Sequence, residues 1–154
     1  YTTSTVCMIR ITNLEEINDN YSRKLGNQVV IDISKFIENN ISNDYLFVRY
    51  MGPKFVIVFS GVDVDSVTTF ITDIKNGAEE LEISLPINNN IEEIEMEAID
   101  RKKKKKKEEP QIVKAKLNFV LTTYYKGTGM EEVLKKLEQY VDNADKSEND
   151  ITFI

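Results

Sequence analysis

The stretch "VRYMGPKFVIVFSG", residues 48–61, decides how the chain is read. It holds two runs with strand character, 46–50 and 55–60, separated only by Met51 to Lys54. A connection that short, with Gly52 and Pro53 in it, is a hairpin turn. The second run is rich in β-branched and aromatic side chains, which suits a buried strand. It is far shorter than the roughly 18 apolar residues of a membrane span.

Upstream, "TVCMIRI" at 5–11 reads as a strand with Val6, Cys7 or Met8, Ile9 and Ile11 as its apolar side chains. "TNLEEIND" sets Leu14 and Ile17 three apart, as in a short helical turn. Asn27 is placed to cap a helix whose Val29, Val30, Ile33, Phe36 and Ile37 recur at 3–4 spacing. Downstream, Asp63 or Asp65 starts a helix with Val67, Phe70, Ile71 and Ile74 on one face, ending at Gly77. Two alternating segments flanking "NNN" in 80–110 predict an edge hairpin, followed by a strand over 113–124. "KGTG" is a loop, and Met130, Val133, Leu134, Leu137, Tyr140 and Val141 share a helical face before the short strand "ITFI". The order strand, helix, hairpin, helix, strand, helix, strand predicts an α+β, ferredoxin-like sandwich with a mostly antiparallel sheet.

The 154 residues suit one domain, with a charged insertion at about 90–112. The chain opens "YTTSTV", with no signal-peptide pattern, and is expected to be a cytoplasmic domain of a longer polypeptide, a membrane protein included. With one cysteine and no histidine, Cys–His zinc sites, Cys–His pairs and Ser–His–Asp triads are excluded. Cys7, inside an apolar run, reads as a small buried hydrophobe. Only carboxylates could hold a metal, and a hard ion such as Mg²⁺ would be the guest. The net charge of −6 argues against nucleic-acid binding. The basic run 101–107 is matched by seven acids within 92–109, so that segment is neutral and reads as solvated.

Two segments carry a family resemblance: "EINDNYSRKLGNQVVIDISKFI" and "FVRYMGPKFVIVFSG". Together they resemble the GGDEF domain of bacterial diguanylate cyclases. Ile17-Asn18-Asp19, Gly26 eight residues after Asn18, and Arg49-Tyr50-x-Gly52-x-x-Phe55 on the hairpin follow the family's order and separations. The resemblance runs from Thr5 to about Ile74 and resumes more loosely from Leu117. Active members condense two GTP into cyclic di-GMP with Mg²⁺, held by an acid ending the first strand and an acid of the hairpin turn. Here those positions fall on Arg10, with Thr12 as its companion, and on Pro53-Lys54, while the turn's first glycine is Met51. A cation at a ligand position repels Mg²⁺. The resemblance therefore implies a degenerate domain that is not an enzyme, with no cofactor and no metal.

The guanine-contacting positions of the family fall on Asn18 and Asn27, which alternatively serve as capping residues. The product-inhibition motif falls on "SNDY", Ser42 to Tyr45, without its key residues. The leading expectation is a regulatory, dimerisation or scaffolding module whose partners are other domains of the same polypeptide, or a second copy. The alternative is a metal-independent sensor of a guanine nucleotide or another anion. In it Arg10 and Lys54, on neighbouring strands at one sheet end, converge on the ligand. The opposing expectation pairs each cation with an acid such as Glu15, Glu16 or Asp19. An RNA-binding sheet is disfavoured, because the aromatic RNA motif is missing and the charge is wrong.

Overall fold

The computed structural model describes residues 3–86, 111–144 and 151–154. Its central strand is β1, Thr3–Ile11, whose apolar side chains point alternately to both faces of the sheet. Val6 and Met8 are buried on one face, Cys7, Ile9 and Ile11 on the other. A strand covered on both sides carries a continuous apolar run rather than strict alternation. β1 pairs antiparallel with β3, Lys54–Ser60, and with β4, Leu117–Tyr125. The hairpin partner β2, Leu46–Arg49, forms one edge, and β5, Ile151–Phe153, pairs parallel with β4 at the other. The sheet order is β2-β3-β1-β4-β5, the mostly antiparallel α+β architecture expected.

Helices cover both faces. α1 (Leu14–Asn20), α2 (Arg23–Asn40) and α3 (Val64–Glu80) bury Ile17, Leu25, Val29, Ile33, Val67 and Ile71 against Cys7, Ile9, Phe55 and Phe119. α4 (Met130–Asn143) lays Val133, Leu137 and Val141 over Val6, Met8, Val56 and Val120 on the opposite face. Because β4 and β5 are parallel, a crossover must join them, and α4 is that crossover.

Several boundaries differ from the sequence expectation. α2 begins at Arg23, capped by Ser22, whose Oγ accepts from Leu25 N at 3.1 Å. Asn27 is thus an exposed residue of the helix and not its cap. The apolar spacing extends back to Leu25, so the first turn lies earlier than Val29 suggests. α3 starts as expected on Asp63, whose Oδ1 accepts from Ser66 N at 2.9 Å, but it runs past Gly77 to Glu80. A Cβ on Gly77 would lie 2.6 Å from Phe36 Cζ, so this glycine admits the α2 ring and does not end the helix. Lys75 Nζ bonds Glu79 Oε1 at 2.6 Å, and Glu79 Oε2 accepts from Leu117 N at 2.9 Å, fastening the extra turn to β4. Of the hairpin expected around "NNN", only the first arm is described, and its Ile83 makes a two-hydrogen-bond bridge to Val113, ahead of β4 proper, which starts at Leu117. The remainder of that hairpin and the basic run 101–107 lie outside the described residues.

Candidate functional site

The site implied by the resemblance lies at the sheet end where β1 finishes and the β2–β3 hairpin turns. Tyr50 N donates to Lys54 O at 2.8 Å, leaving Met51, Gly52 and Pro53 as the connection. Gly52 has φ +65, a left-handed conformation that glycine adopts without a Cβ penalty. Pro53 O accepts from Ile11 N at 2.9 Å, which ties the turn to the end of β1. Met51 is 70% exposed at its tip. Phe55, the last matched hairpin residue, is fully buried and stacks on Phe47 with ring centroids 5.7 Å apart.

Cross-strand register sets Lys54, Arg10 and Asn118 side by side on β3, β1 and β4. Directly opposed residues share a face, so this polar row continues Met8 and Val56 beneath the C-terminal half of α4. Lys54, only 8% exposed, reaches that helix: its Nζ lies 3.0 Å from both carboxylate oxygens of Asp142 and 3.4 Å from Glu138 Oε2. Glu138 Oε2 is buried without a hydrogen bond, so the Lys54 ammonium compensates it through charge alone. Arg10 Nη1 donates to Val141 O at 3.3 Å, in the last turn of α4, where the carbonyl ends of a helix favour a cation. Arg10 and Lys54 do share one sheet end, but their partners are on α4, not Glu15, Glu16 or Asp19. Those partners are 84 or more residues away in sequence from Lys54, beyond the reach of local pattern.

Thr12 is buried. Its N and Oγ1 both donate to Lys116 O, at 2.8 and 3.3 Å, so it anchors the lead-in to β4. Asn18 lies on α1 against Gly26 in the first turn of α2, where an added Cβ would overlap Asn18 Oδ1. Neither Asn18 nor Asn27 spends its carboxamide on a hydrogen bond among the described residues, so neither is a cap. Ser42 to Tyr45 precede β2. Ser42 and Tyr45 help line an apolar recess of about 350 Å³ with Phe59, Val67 and Phe70, and Tyr45 meets Phe59 edge-on at 5.0 Å. Cys7 is fully buried, and desolvation pushes its thiol pKa far up, so it is chemically inert.

The family profile "Diguanylate cyclase, GGDEF domain" matches residues 2–99. The chain belongs to the GGDEF family. Among solved structures, this GGDEF domain is similar to the diguanylate cyclase SiaD of Pseudomonas aeruginosa, in complex with its activator SiaC. The TM-score is 0.74 at 12% identity, over 99% of this chain and 50% of that one. It is also similar to the coiled coil and GGDEF domain of DgcB from Caulobacter crescentus in complex with c-di-GMP, with TM-score 0.74, 14% identity, and 99% and 70% of the two chains. The active GGEEF domain of a Vibrio cholerae diguanylate cyclase gives 0.68 at 16%, over 98% and 81%. At such identities the likeness shows the fold alone. A curated relative, an uncharacterized membrane protein of Staphylococcus aureus, is 28% identical over 79 residues, 51% of this chain. The match spans 22% of that protein's length. No helix among the described residues is long and apolar enough to cross a membrane.

The Mg²⁺ implied by the family does not fit these residues. The first-strand position carries Arg10 and the hairpin positions carry Pro53 and Lys54, and the carboxylates that reach this row, Asp142 and Glu138, are paired with the Lys54 ammonium. Among the described residues no three His, Cys, Asp or Glu side chains are grouped to hold a metal ion.

Proposed function

We propose that this GGDEF domain is a non-catalytic regulatory or scaffolding module of a cyclic di-GMP signalling protein. One observation carries the reading: the hairpin's acidic pair is replaced by Pro53 and Lys54, and the Lys54 ammonium is built into the fold by Asp142 and Glu138. Condensing two triphosphates needs a divalent cation to neutralise charge and polarise the reacting oxygens. A buried lysine fixed to a helix cannot be exchanged for one. Met51 adds bulk where the family has glycine, and Pro53 removes a backbone N–H that could have met phosphate. The expected outcome with GTP and Mg²⁺ or Mn²⁺ is no cyclic di-GMP by mass spectrometry. Product that rises in proportion to protein added overturns the reading. Restoring Arg10→Asp and Lys54→Glu together does not restore synthesis, because Met51 and Pro53 still shape the turn.

A second reading is favoured by the unspent carboxamides of Asn18 and Asn27, close to Gly26: a metal-independent guanine-nucleotide sensor. An Asn offers one acceptor and one donor group to a guanine edge. In this reading Arg10, whose Nη1 donates to Val141 O, keeps its charge and its other guanidinium N–H groups for phosphate, whereas Lys54 is neutralised by its own acids. Calorimetry with GTP, GDP, cyclic di-GMP and phosphate in EDTA tests it. Binding below millimolar that weakens in Asn18→Ala for the nucleotides only supports it, and no binding by any of them dismisses it.

A further inference from the structure

We propose that the outer edge of β2 is a self-pairing surface, joining two copies of this domain antiparallel into one continuous sheet. Among the described residues β2 ends the sheet, and its only strand neighbour is β3. The Tyr50 N to Lys54 O bond marks Tyr50 as a residue whose backbone groups face β3. In an antiparallel ladder that role alternates, so Leu46 and Val48, opposite Val58 and Val56, also face β3. Phe47 and Arg49 therefore turn their N–H and C=O outward, and none of these four groups has a partner among the described residues.

On the α4 side of this edge the side chains are apolar, and the strand's one charge, Arg49, lies on the other face. Leu46 is 58% and Val48 40% exposed, on the α4 side of the sheet and beyond the strands that α4 covers. Such a strip is a template for strand addition. The occupant that fits is a second copy, because the strand complements itself in one register. With Val48 opposite Val48 of the other copy, each Phe47 faces an Arg49 and each Leu46 faces a Tyr50. All four outward donors and all four acceptors of the pair are then used. The two-fold axis joins valine to valine, Leu–Tyr pairs flank it on the same face, and Arg49 meets the Phe47 ring on the other face. No like charges are opposed. Four residues per copy bury less than the roughly 1,200 Å² of a standard interface, so association is weak and depends on concentration. The proposal goes beyond the non-catalytic reading and does not depend on it, since that reading is decided by cyclic di-GMP formation.

Sedimentation equilibrium of this chain across a concentration series reads the pairing directly, with the average mass expected to rise from one chain towards two. Val48→Lys places two ammonium groups opposite each other at the axis and is expected to raise the dissociation constant about tenfold or more. Arg49→Pro removes an outward N–H while leaving the β3 ladder intact, as edge strands allow, and is expected to do the same. Ile31→Lys, changing another exposed apolar side chain on α2, is expected to leave the pairing unaltered. Val48→Cys is expected to form a disulfide with its own copy under mild oxidation, the native Cys7 being buried. A monomer at every concentration, or a dimer equally strong in Val48→Lys and Arg49→Pro with no Val48→Cys crosslink, overturns the proposal.

Discussion

Replacing Lys54 by methionine tests how far the charged row at the sheet end holds α4 in place. Methionine keeps an unbranched stem of similar length, so the change removes the charge with little change in packing. The ammonium makes two 3.0 Å contacts to Asp142 and one 3.4 Å contact to Glu138. A hydrogen bond to a charged group contributes about 1.5–3 kcal/mol, and breaking a fully buried pair costs about 3–5. The Lys54 side chain is 10% exposed, but Asp142 is 42% and Glu138 31% exposed, so water rehydrates the abandoned carboxylates and the lower end applies. The expected loss is about 2 kcal/mol, which for a domain of this size lowers the melting temperature by about 4–8 °C. Urea unfolding followed by circular dichroism measures it, as a lower midpoint with an unchanged slope. Adding Asp142→Asn and Glu138→Gln is expected to recover most of the loss, because no uncompensated carboxylate then remains. Amide exchange at residues 140–143 is expected to quicken in the single variant and to slow again in the triple variant. A Lys54→Met protein within about 0.5 kcal/mol of the parent, the scale of inconsequential surface changes, refutes the reasoning.

Gly26→Ala places a methyl group on Asn18 Oδ1, which must swing aside, and this offsets the roughly 1 kcal/mol that Gly→Ala gains in a helix; in an Asn18→Ala background the substitution is expected to become stabilising. Asp63 accepts from Ser66, and these hydrogen bonds lower its pKa below the unperturbed 3.8. A group whose folded pKa is depressed stabilises above its unfolded pKa. The stability difference between the parent and Asp63→Asn is therefore expected to be complete above pH 3.8 and to fade as pH falls through the folded value, read from urea midpoints. Cys7 is expected to react with a disulfide reagent only after unfolding; labelling of the native protein at the rate of a free thiol would contradict its burial.

Much of the candidate site was legible because its parts are local. The Met51-Gly52-Pro53 turn follows from glycine and proline in a four-residue gap, and the placing of Arg10 beside Lys54 follows from the antiparallel pairing of a first strand with a hairpin strand. Ser22 was also legible in principle, as a serine just ahead of the Leu25, Val29, Ile33 spacing, but Asn27 stood nearer the residues that define the stripe. Gly77 shows the opposite case. Inside a helix or at its end, glycine looks the same in sequence, and the Phe36 ring that explains it comes from another helix.

Spacing, turn residues and apolar runs were enough to establish the order of elements and the mostly antiparallel sheet. The resemblance also implied that Arg10 and Lys54 stand where the family carries acids, since residue identity is a property of the sequence itself. The partners of those two cations could not be read that way. Asp142, Glu138 and the Val141 carbonyl reach them only because the parallel β4–β5 pairing forces α4 to cross the face of the sheet opposite α2 and α3. The same crossover covers the middle strands and leaves Leu46 and Val48 on the edge strand exposed. Charge identity is local chemistry, whereas charge compensation and edge exposure depend on which distant element the sheet brings alongside.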